Sequence, residues 1–396
     1  MSEATDPPTP LVQGPHIFLV AAEESGDRLG AELIHALRER TKGGARFSGV
    51  GGREMARQGA PSPFAIEDLS LMGFAAVPRR LPTILRRIRE TANAIIEAKP
   101  DGLVIIDSPD FTHRVARRVR AADPSIPILD FVSPTIWAWR PGRARAMRGY
   151  VDHVLALLPF EPAVHQKLGG PPCTYVGHPL SNRIDDLRPN AEETRRRMSE
   201  PPIMLVLPGS RASEIERLLP IFGDAVDRLQ RMVGSLEIIL PTVPHLHDMV
   251  AAATAAWPLR PRVLVDPADK DSAFRRARVA LAKSGTVTLE LALAGVPMVA
   301  AYRVSWLEAR VGRLLVNVPS FILANLVIGE NIVPEFLHED CTAERLATAL
   351  ARLIDEGPER RRQVEAFARL DEIMEIGRRV PAARAADIVL AMLRHS

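Results

Sequence analysis

Short apolar runs rich in β-branched residues recur along this chain, and between them apolar positions repeat every three or four residues. The first pattern reads as buried strand and the second as amphipathic helix. In the first half the runs predict strands at His16–Ala21, Arg46–Val50, Gly102–Ile106, Ile126–Val132 and Val151–Leu157. In the second half they predict strands at Ile203–Leu207, Leu236–Leu240, Val263–Val265, Val279–Ala282 and Met298–Tyr302. Helical patterns lie between them, for example Leu29–Arg38 and Phe111–Ala122, and from Thr342 onward the pattern is helical throughout. Apolar strands alternating with helices indicate parallel sheets covered by helices, the α/β class.

A chain of 396 residues exceeds one ordinary core. Around Asn182–Ser199 the texture turns polar and proline-containing, as in a linker. The expected division is a leader at 1–15, a Rossmann-like domain at 16–185, a second at 186–355 and a helical tail at 356–396. Two such halves have parallel sheets facing across a cleft, and ligands of open α/β sheets bind at the carboxyl ends of the strands.

Hydrophobic residues at 46% and charged residues at 25% describe a soluble globular protein. No run approaches the roughly 18 to 20 apolar residues of a membrane span. Residues 1–15 are Pro-rich and polar, lack the order of a signal peptide, and read as a disordered leader. Cys173 and Cys341 are far apart, which excludes a metal-type cysteine spacing and favours the reducing cytoplasm. The net charge is only +3, the pI near 9.1 permits an anionic partner without naming one, and no nucleic acid is expected.

The chemistry gathers where predicted strands end. After the first strand, Ser25, Gly26 and Asp27 open a helix, where free N–H groups favour an anion; the plainer reading is that Ser25 or Asp27 caps that helix. The spacing matches neither the dinucleotide fingerprint nor the phosphate loop of ATPases. In "LPGSR", Gly209 lets backbone approach a ligand, Ser210 follows, and Arg211 offers a fork for phosphate unless Glu214 or Glu216 takes it. In "KSGTVTLE", the turn Ser284, Gly285 and Thr286 suits phosphate, while Glu290, one helical turn on, suits a sugar diol. "LVIIDSPDF" ends an apolar run in two carboxylates, Asp107 and Asp110.

Taken in order, these motifs resemble the lipid-A-disaccharide synthase family. The resemblance spans His16 to Leu353 and is carried by A-x-E-x-SGD at Ala21–Asp27, IIDSPDF at Ile105–Phe111 and VSPTIWAWRPGR at Val132–Arg143. It continues through LLPFE at Leu157–Glu161, VGHPL at Val176–Leu180, LPGSR at Leu207–Arg211 and KSGTVTLE at Lys283–Glu290. The chain departs from the family where Ala22 replaces a usual glycine, Lys283 a small residue, and Ala324 the proline before Asn325.

The resemblance implies an inverting glycosyltransferase of the two-Rossmann (GT-B) type that needs no metal or cofactor. Such an enzyme moves 2,3-diacylglucosamine from its UDP derivative to 2,3-diacylglucosamine 1-phosphate, giving the β-1′,6 disaccharide 1-phosphate and UDP. It also implies work at the cytoplasmic face of the inner membrane, as a peripheral protein, and dimers with exchanged C-terminal parts. A base must take the proton of the acceptor hydroxyl; the resemblance places it at Asp107, with Asp110 as second candidate or helix cap. Arg211 and Ser284–Thr286 then face the diphosphate, Glu290 the ribose and Asn325 the donor, while Ser25 and Gly26 reach the transferred unit. In "SPTIWAWRPGR", Arg140 or Arg143 suits the acceptor 1-phosphate and Trp137 its sugar or acyl chains; the plainer reading is a packed aromatic pair beside a solvated basic helix. His178 lines the cleft or is structural. Leu81, Ile84, Leu85 and Ile88 repeat at helical spacing among Arg79, Arg80, Arg86, Arg87 and Arg89, a pattern suited to an anionic bilayer or to a core helix with a basic outer face. Two other readings fit this outline: a UDP-N-acetylglucosamine 2-epimerase and a non-catalytic bilobed sugar-binding protein.

Overall fold

The structure, a computed structural model, describes residues 14–69, 77–304, 318–378 and 380–394. Residues 1–13 of the expected leader, residues 72–76 of the expected membrane stretch and the side chains of Arg79 and Arg80 lie outside the described residues.

Two compact units are present, Met1–Pro179 with Arg379–Ser396, and Leu180–Arg378. The break therefore falls before the polar linker rather than after residue 185. In the first unit six strands pair in parallel: β1 His16–Ala21, β2 Arg46–Val50, β3 Gly102–Ile106, β4 Ile128–Phe131, β5 His153–Ala156 and β6 Cys173–Tyr175, in the order β2-β1-β3-β4-β5-β6. Along β3 the side chains alternate between two cores. Leu103 and Ile105 join Phe18, Val20 and Val115 on one face; Val104 and Ile106 join Ile17, Leu19 and Leu33 on the other. Burial on both faces is what an unbroken apolar strand encodes. The covering helices include α1 Glu24–Arg40, α2 Arg53–Arg57, α3 Val77–Ala98, α4 Pro109–Ala122, α5 Gly142–Met147 and α6 Glu161–Leu168.

The second unit pairs β7 Ile203–Leu207, β8 Glu237–Pro241, β9 Arg262–Leu264, β10 Val279–Lys283, β11 Met298–Tyr302 and β12 Glu335–Leu337 in the order β12-β11-β10-β7-β8-β9. Its helices include α7 Ala212–Val233, α8 Pro267–Arg276, α9 Val287–Leu293, α10 Leu323–Ile328, α11 Ala343–Ile354 and α12 Pro358–Ala368. Strand order reverses at β1/β3 in the first unit and at β7/β10 in the second. Helices cross to opposite faces there, and the crevice this leaves at the strand ends is where such sheets bind ligands.

The sequence pattern omits β6 and β12, three-residue edge strands too short to show a period. The C-terminal stretch is not one tail. Helix α12 belongs to the second unit, where Gln363 bonds the Met298 backbone at 2.8 and 3.0 Å and Arg360 bonds the carbonyls of Arg278 and Leu353. Helix α13, Pro381–Arg394, packs Ala385, Ala386 and Val389 into the first unit's core, and Asp387 pairs with Arg40 at 2.7 Å.

Candidate active site

In the second unit, the loops after β7 and β10 enclose a pocket of about 420 Å³. Gly209, Ser210, Arg211, Gly285, Thr286 and Glu290 all line it. Helix α7 starts directly after Arg211, so 22 residues of helix direct their positive end at this loop. Gly209 has φ +116°, and a side chain there would fall on the Glu214 carboxylate. Glu214 is the organiser: its Oε1 lies 3.1 Å from Arg211 Nη1 and 3.2 Å from Lys283 Nζ. Two cations thus wait at the pocket wall on one carboxylate. The pairing of Arg211 with Glu214, weighed above as an alternative to phosphate binding, is present in this unliganded chain. Arg211 nevertheless keeps 77% of its side chain exposed, so an arriving diphosphate can engage it.

Glu290 accepts from Lys270 Nζ at 2.7 Å, and Lys270 also lines the pocket. Two of the chain's five lysines therefore stand here. Sequence reading missed Lys270 because it sits on α8, twenty positions before its partner. Two expected residues take different places. Ser284 is buried and donates to the Phe321 carbonyl at 2.7 Å. Asn325 is buried with all four valences used: its amide donates to Ser320 Oγ and Val333 O, and its Oδ1 accepts from the Ile332 and Val333 N–H groups. The donor contact expected of Asn325 is corrected to the fixing of loop 320–333, because no valence remains for a ligand.

In the first unit, β3 delivers Asp107 to the β1/β3 switch point. Its N–H donates to Phe131 O at 3.0 Å, continuing the sheet by one bond. Asp107 and Ser108 then both turn left-handed, with φ 52° and 46°. Each such non-glycine residue costs roughly 1–2 kcal/mol, and the chain bears this cost twice in succession at a strand end. Asp107 Oδ1 accepts from the Ser108 N–H at 2.7 Å; Oδ2 has no hydrogen bond among the described residues. Gly26 stands close by: a Cβ there would lie 3.3 Å from Ile106 O, so its lack of one lets α1 seat against the end of β3.

Asp110 is the second residue of α4, exposed, and 3.4 Å from Arg143. It does not cap the helix; Ser108 occupies the cap position without a side-chain bond. Asp27 is likewise corrected from a cap of its own helix. It lies within α1 and accepts from the N–H groups of Gly52, Glu54 and Met55, capping α2 instead. Ser25 is exposed in the first turn of α1, next to Glu23 and Glu24, surroundings better suited to sugar hydroxyls than to phosphate.

Beside this strand end lies a second pocket of about 390 Å³, lined by Asp110, His113, Arg114, Arg117, Arg140 and Arg143 among others. Arg140 stacks over Trp139 at 4.1 Å. Trp137 packs edge-on against Phe160 at 5.6 Å and directs Nε1 at Glu161 Oε1, 3.4 Å away. His178 is held neutral, burial pushing it down to about 4.

Burial pushes Glu161 up to about 8, although the Leu158 N–H donates to it at 2.9 Å. The folded chain therefore keeps a proton that the unfolded chain has released. Stability from this carboxyl is fully present below pH 4.5 and is lost as pH rises through about 8, with a slope near 1.4 kcal/mol per pH unit. Glu161→Gln keeps the shape and one of the two acceptor oxygens and removes the titration. Its urea midpoint should fall less between pH 5 and pH 8 than the wild-type midpoint does; equal falls would contradict the assignment.

Comparison with known proteins follows the same lines. The family model described as lipid-A-disaccharide synthetase matches residues 17–389. The lipid-A-disaccharide synthase of Bradyrhizobium diazoefficiens is 62% identical over 378 residues, 96% of each chain. Among solved structures, the glycotransferase of kitacinnamycin is similar with TM-score 0.62 and 18% identity, covering 96% of this chain and 99% of that one. The UDP-GlcNAc 2-epimerase of Methanocaldococcus jannaschii, in complex with UDP-GlcNAc and UDP, is similar with TM-score 0.56 and 12% identity over the same shares. These two likenesses show the GT-B type of fold alone.

Proposed function

The chain belongs to the lipid-A-disaccharide synthase family, and from that premise we propose how its two strand-end sites divide the work. The protein is a glycosyltransferase. It transfers 2,3-diacylglucosamine from UDP to the 6-hydroxyl of 2,3-diacylglucosamine 1-phosphate.

In the second unit Arg211, Lys283 and the turn Gly285–Thr286 take the diphosphate, and Glu290 takes the ribose diol. One observation carries this reading: a single pocket of about 420 Å³ at the β7/β10 switch point gathers these residues. In the first unit Asp107 is the base. The acceptor oxygen bonds to the donor's anomeric carbon as the bond from that carbon to the UDP phosphate oxygen breaks. The hydroxyl proton passes to Asp107, and UDP leaves with the bonding pair. A single displacement of this kind inverts the anomeric centre. Guanidinium, ammonium and backbone N–H groups balance the charge that grows on UDP. Ser25 and Gly26 face the transferred sugar, and Arg140 and Arg143 take the acceptor phosphate, with Trp137 and His178 shaping that side.

UDP release separates this reading from an epimerase. Release should require the acylated sugar 1-phosphate; UDP freed, or a C2 epimer formed, without that acceptor would overturn it.

Substrates with acyl chains are delivered at a membrane surface, and we place the protein at the cytoplasmic face of the inner membrane. No helix among the described residues is long and apolar enough to cross a bilayer, and the contact proposed is peripheral. Helix α3 supplies it, through two of the four apolar side chains expected from the sequence. Ile88 is 1% exposed, and Ile84 packs against the same core; Asp at Ile88 would unfold the domain. Leu81 and Leu85 are exposed instead, one turn apart and beside exposed Arg86 and Arg89. Arg87 is taken by Asp68 and Glu90. The double variant Leu81→Asp/Leu85→Asp should lose most of its co-sedimentation with anionic vesicles while unfolding like wild type. Unchanged pelleting would rule out this face. In a dimer with exchanged C-terminal parts, α13 of a second copy would occupy the seat that α13 takes here on α1.

A further inference from the structure

Behind the arginine pocket of the first unit runs a chain of buried hydrogen bonds. Asp130 on β4 is fully buried, and its Oδ2 lies 3.1 Å from His113 Nε2. His113 Nδ1 lies 3.1 Å from Tyr150 Oη, and Arg117 Nη2 donates to the same phenol oxygen at 3.2 Å. The Arg117 guanidinium also lies over the Tyr150 ring, 4.6 Å from its centre.

Chemistry orders the donors. Guanidinium can only donate, so Tyr150 Oη accepts from Arg117 and keeps its own hydrogen free to donate to His113 Nδ1. An imidazole accepting at Nδ1 carries its hydrogen on Nε2, which donates to Asp130. In that tautomer every bond runs from the pocket wall toward the buried carboxylate. Burial pushes the Asp130 carboxyl up, the facing His113 opposes this, and Asp107 adds to it.

A buried carboxylate and imidazole are a costly way to fill a core. Three well-packed apolar residues in place of Asp130, His113 and Tyr150 would serve stability as well. What this set achieves is to hold one long, flexible side chain still. A guanidinium fixed in advance loses less freedom when it binds an anion. Arg117 shares the pocket with Arg114, Arg140 and Arg143, and Asp110 is its acidic member. Asp110 is already paired with Arg143.

We propose that Arg117 is a third arginine gripping the acceptor phosphate, beside Arg140 and Arg143, and that Tyr150, His113 and Asp130 are the positioning residues that hold it. This rests on the reading of this pocket as the acceptor-phosphate site. Arg117 then discriminates sugar 1-phosphate from the unphosphorylated sugar, and the buried chain sets how firmly.

The test is steady-state kinetics of the full-length protein in mixed micelles, with diacylglucosamine 1-phosphate and its dephosphorylated counterpart as acceptors. Arg117→Gln should raise the KM for the phosphorylated acceptor about 10- to 100-fold and leave the donor KM in place. The preference for the phosphorylated acceptor should shrink by the same factor. Tyr150→Phe keeps the ring and loses the hydroxyl; it should raise the same KM several-fold. Arg117→Lys should recover part of the loss. Should Arg117→Gln fail to fold, Tyr150→Phe decides alone. If Arg143→Gln raises the acceptor KM while Arg117→Gln and Tyr150→Phe do not, the inference is wrong and the pocket reading stands. If Arg143→Gln and Arg140→Gln leave it unmoved too, the pocket reading itself fails.

Discussion

Asp107→Asn lowers kcat about 10²- to 10⁴-fold, with both substrate KM values near wild type and the fold intact. Asparagine has the same shape, and its oxygen still accepts from the Ser108 N–H as Asp107 Oδ1 does at 2.7 Å. What it lacks is a site for the proton. The loss therefore falls on the chemical step, which appears as kcat reduced without a change in binding. Asp110→Asn removes an exposed carboxylate paired with Arg143 at 3.4 Å and should cost only a few-fold. The contrast between the two variants matters more than either value. Near-equal losses would mean that the strand-end turn as a whole, rather than the Asp107 carboxylate, drives the reaction.

The second large effect is on the donor side. Arg211→Ala should lower kcat/KM for the UDP-sugar by about 10²-fold or more and leave the acceptor KM unchanged. Charge grows on UDP as the glycosidic bond breaks, so a guanidinium at the diphosphate stabilises the transition state more than the ground state. Glu214 would then hold Lys283 alone, since it is the carboxylate both cations share. Arg211→Lys should regain only part of the rate, because a point charge lacks the two-pronged geometry. Equal losses for donor and acceptor would remove Arg211 from the diphosphate.

Much of this was readable before the fold. The apolar run ending at Asp107 already marked a buried strand, and the glycine of LPGSR already marked a tight approach. What the sequence could not show is conformation without a glycine signal. Nothing in "DSP" announces two consecutive left-handed residues. Nor does local pattern carry long-range pairing: Asp130, His113 and Tyr150 meet across as many as 37 positions, and Lys270 reaches Glu290 from another helix. Asn325 was placed at the donor by the resemblance alone, and the four hydrogen bonds by which it fixes loop 320–333 show only in the fold. On α3 the apolar stripe is wide, so spacing alone did not tell which edge, Ile88 or Leu85, turns inward.

The anomeric configuration of the new bond tests the central claim most directly. The wild-type protein is given the α-linked UDP-sugar and the acylated sugar 1-phosphate, and the proton coupling at the new anomeric carbon is read by NMR. Direct attack assisted by Asp107 predicts a β-linked disaccharide 1-phosphate, with the large H1–H2 coupling of trans-diaxial protons. An α-linked product, with a small coupling, would mean retention and would contradict the single displacement assigned to Asp107.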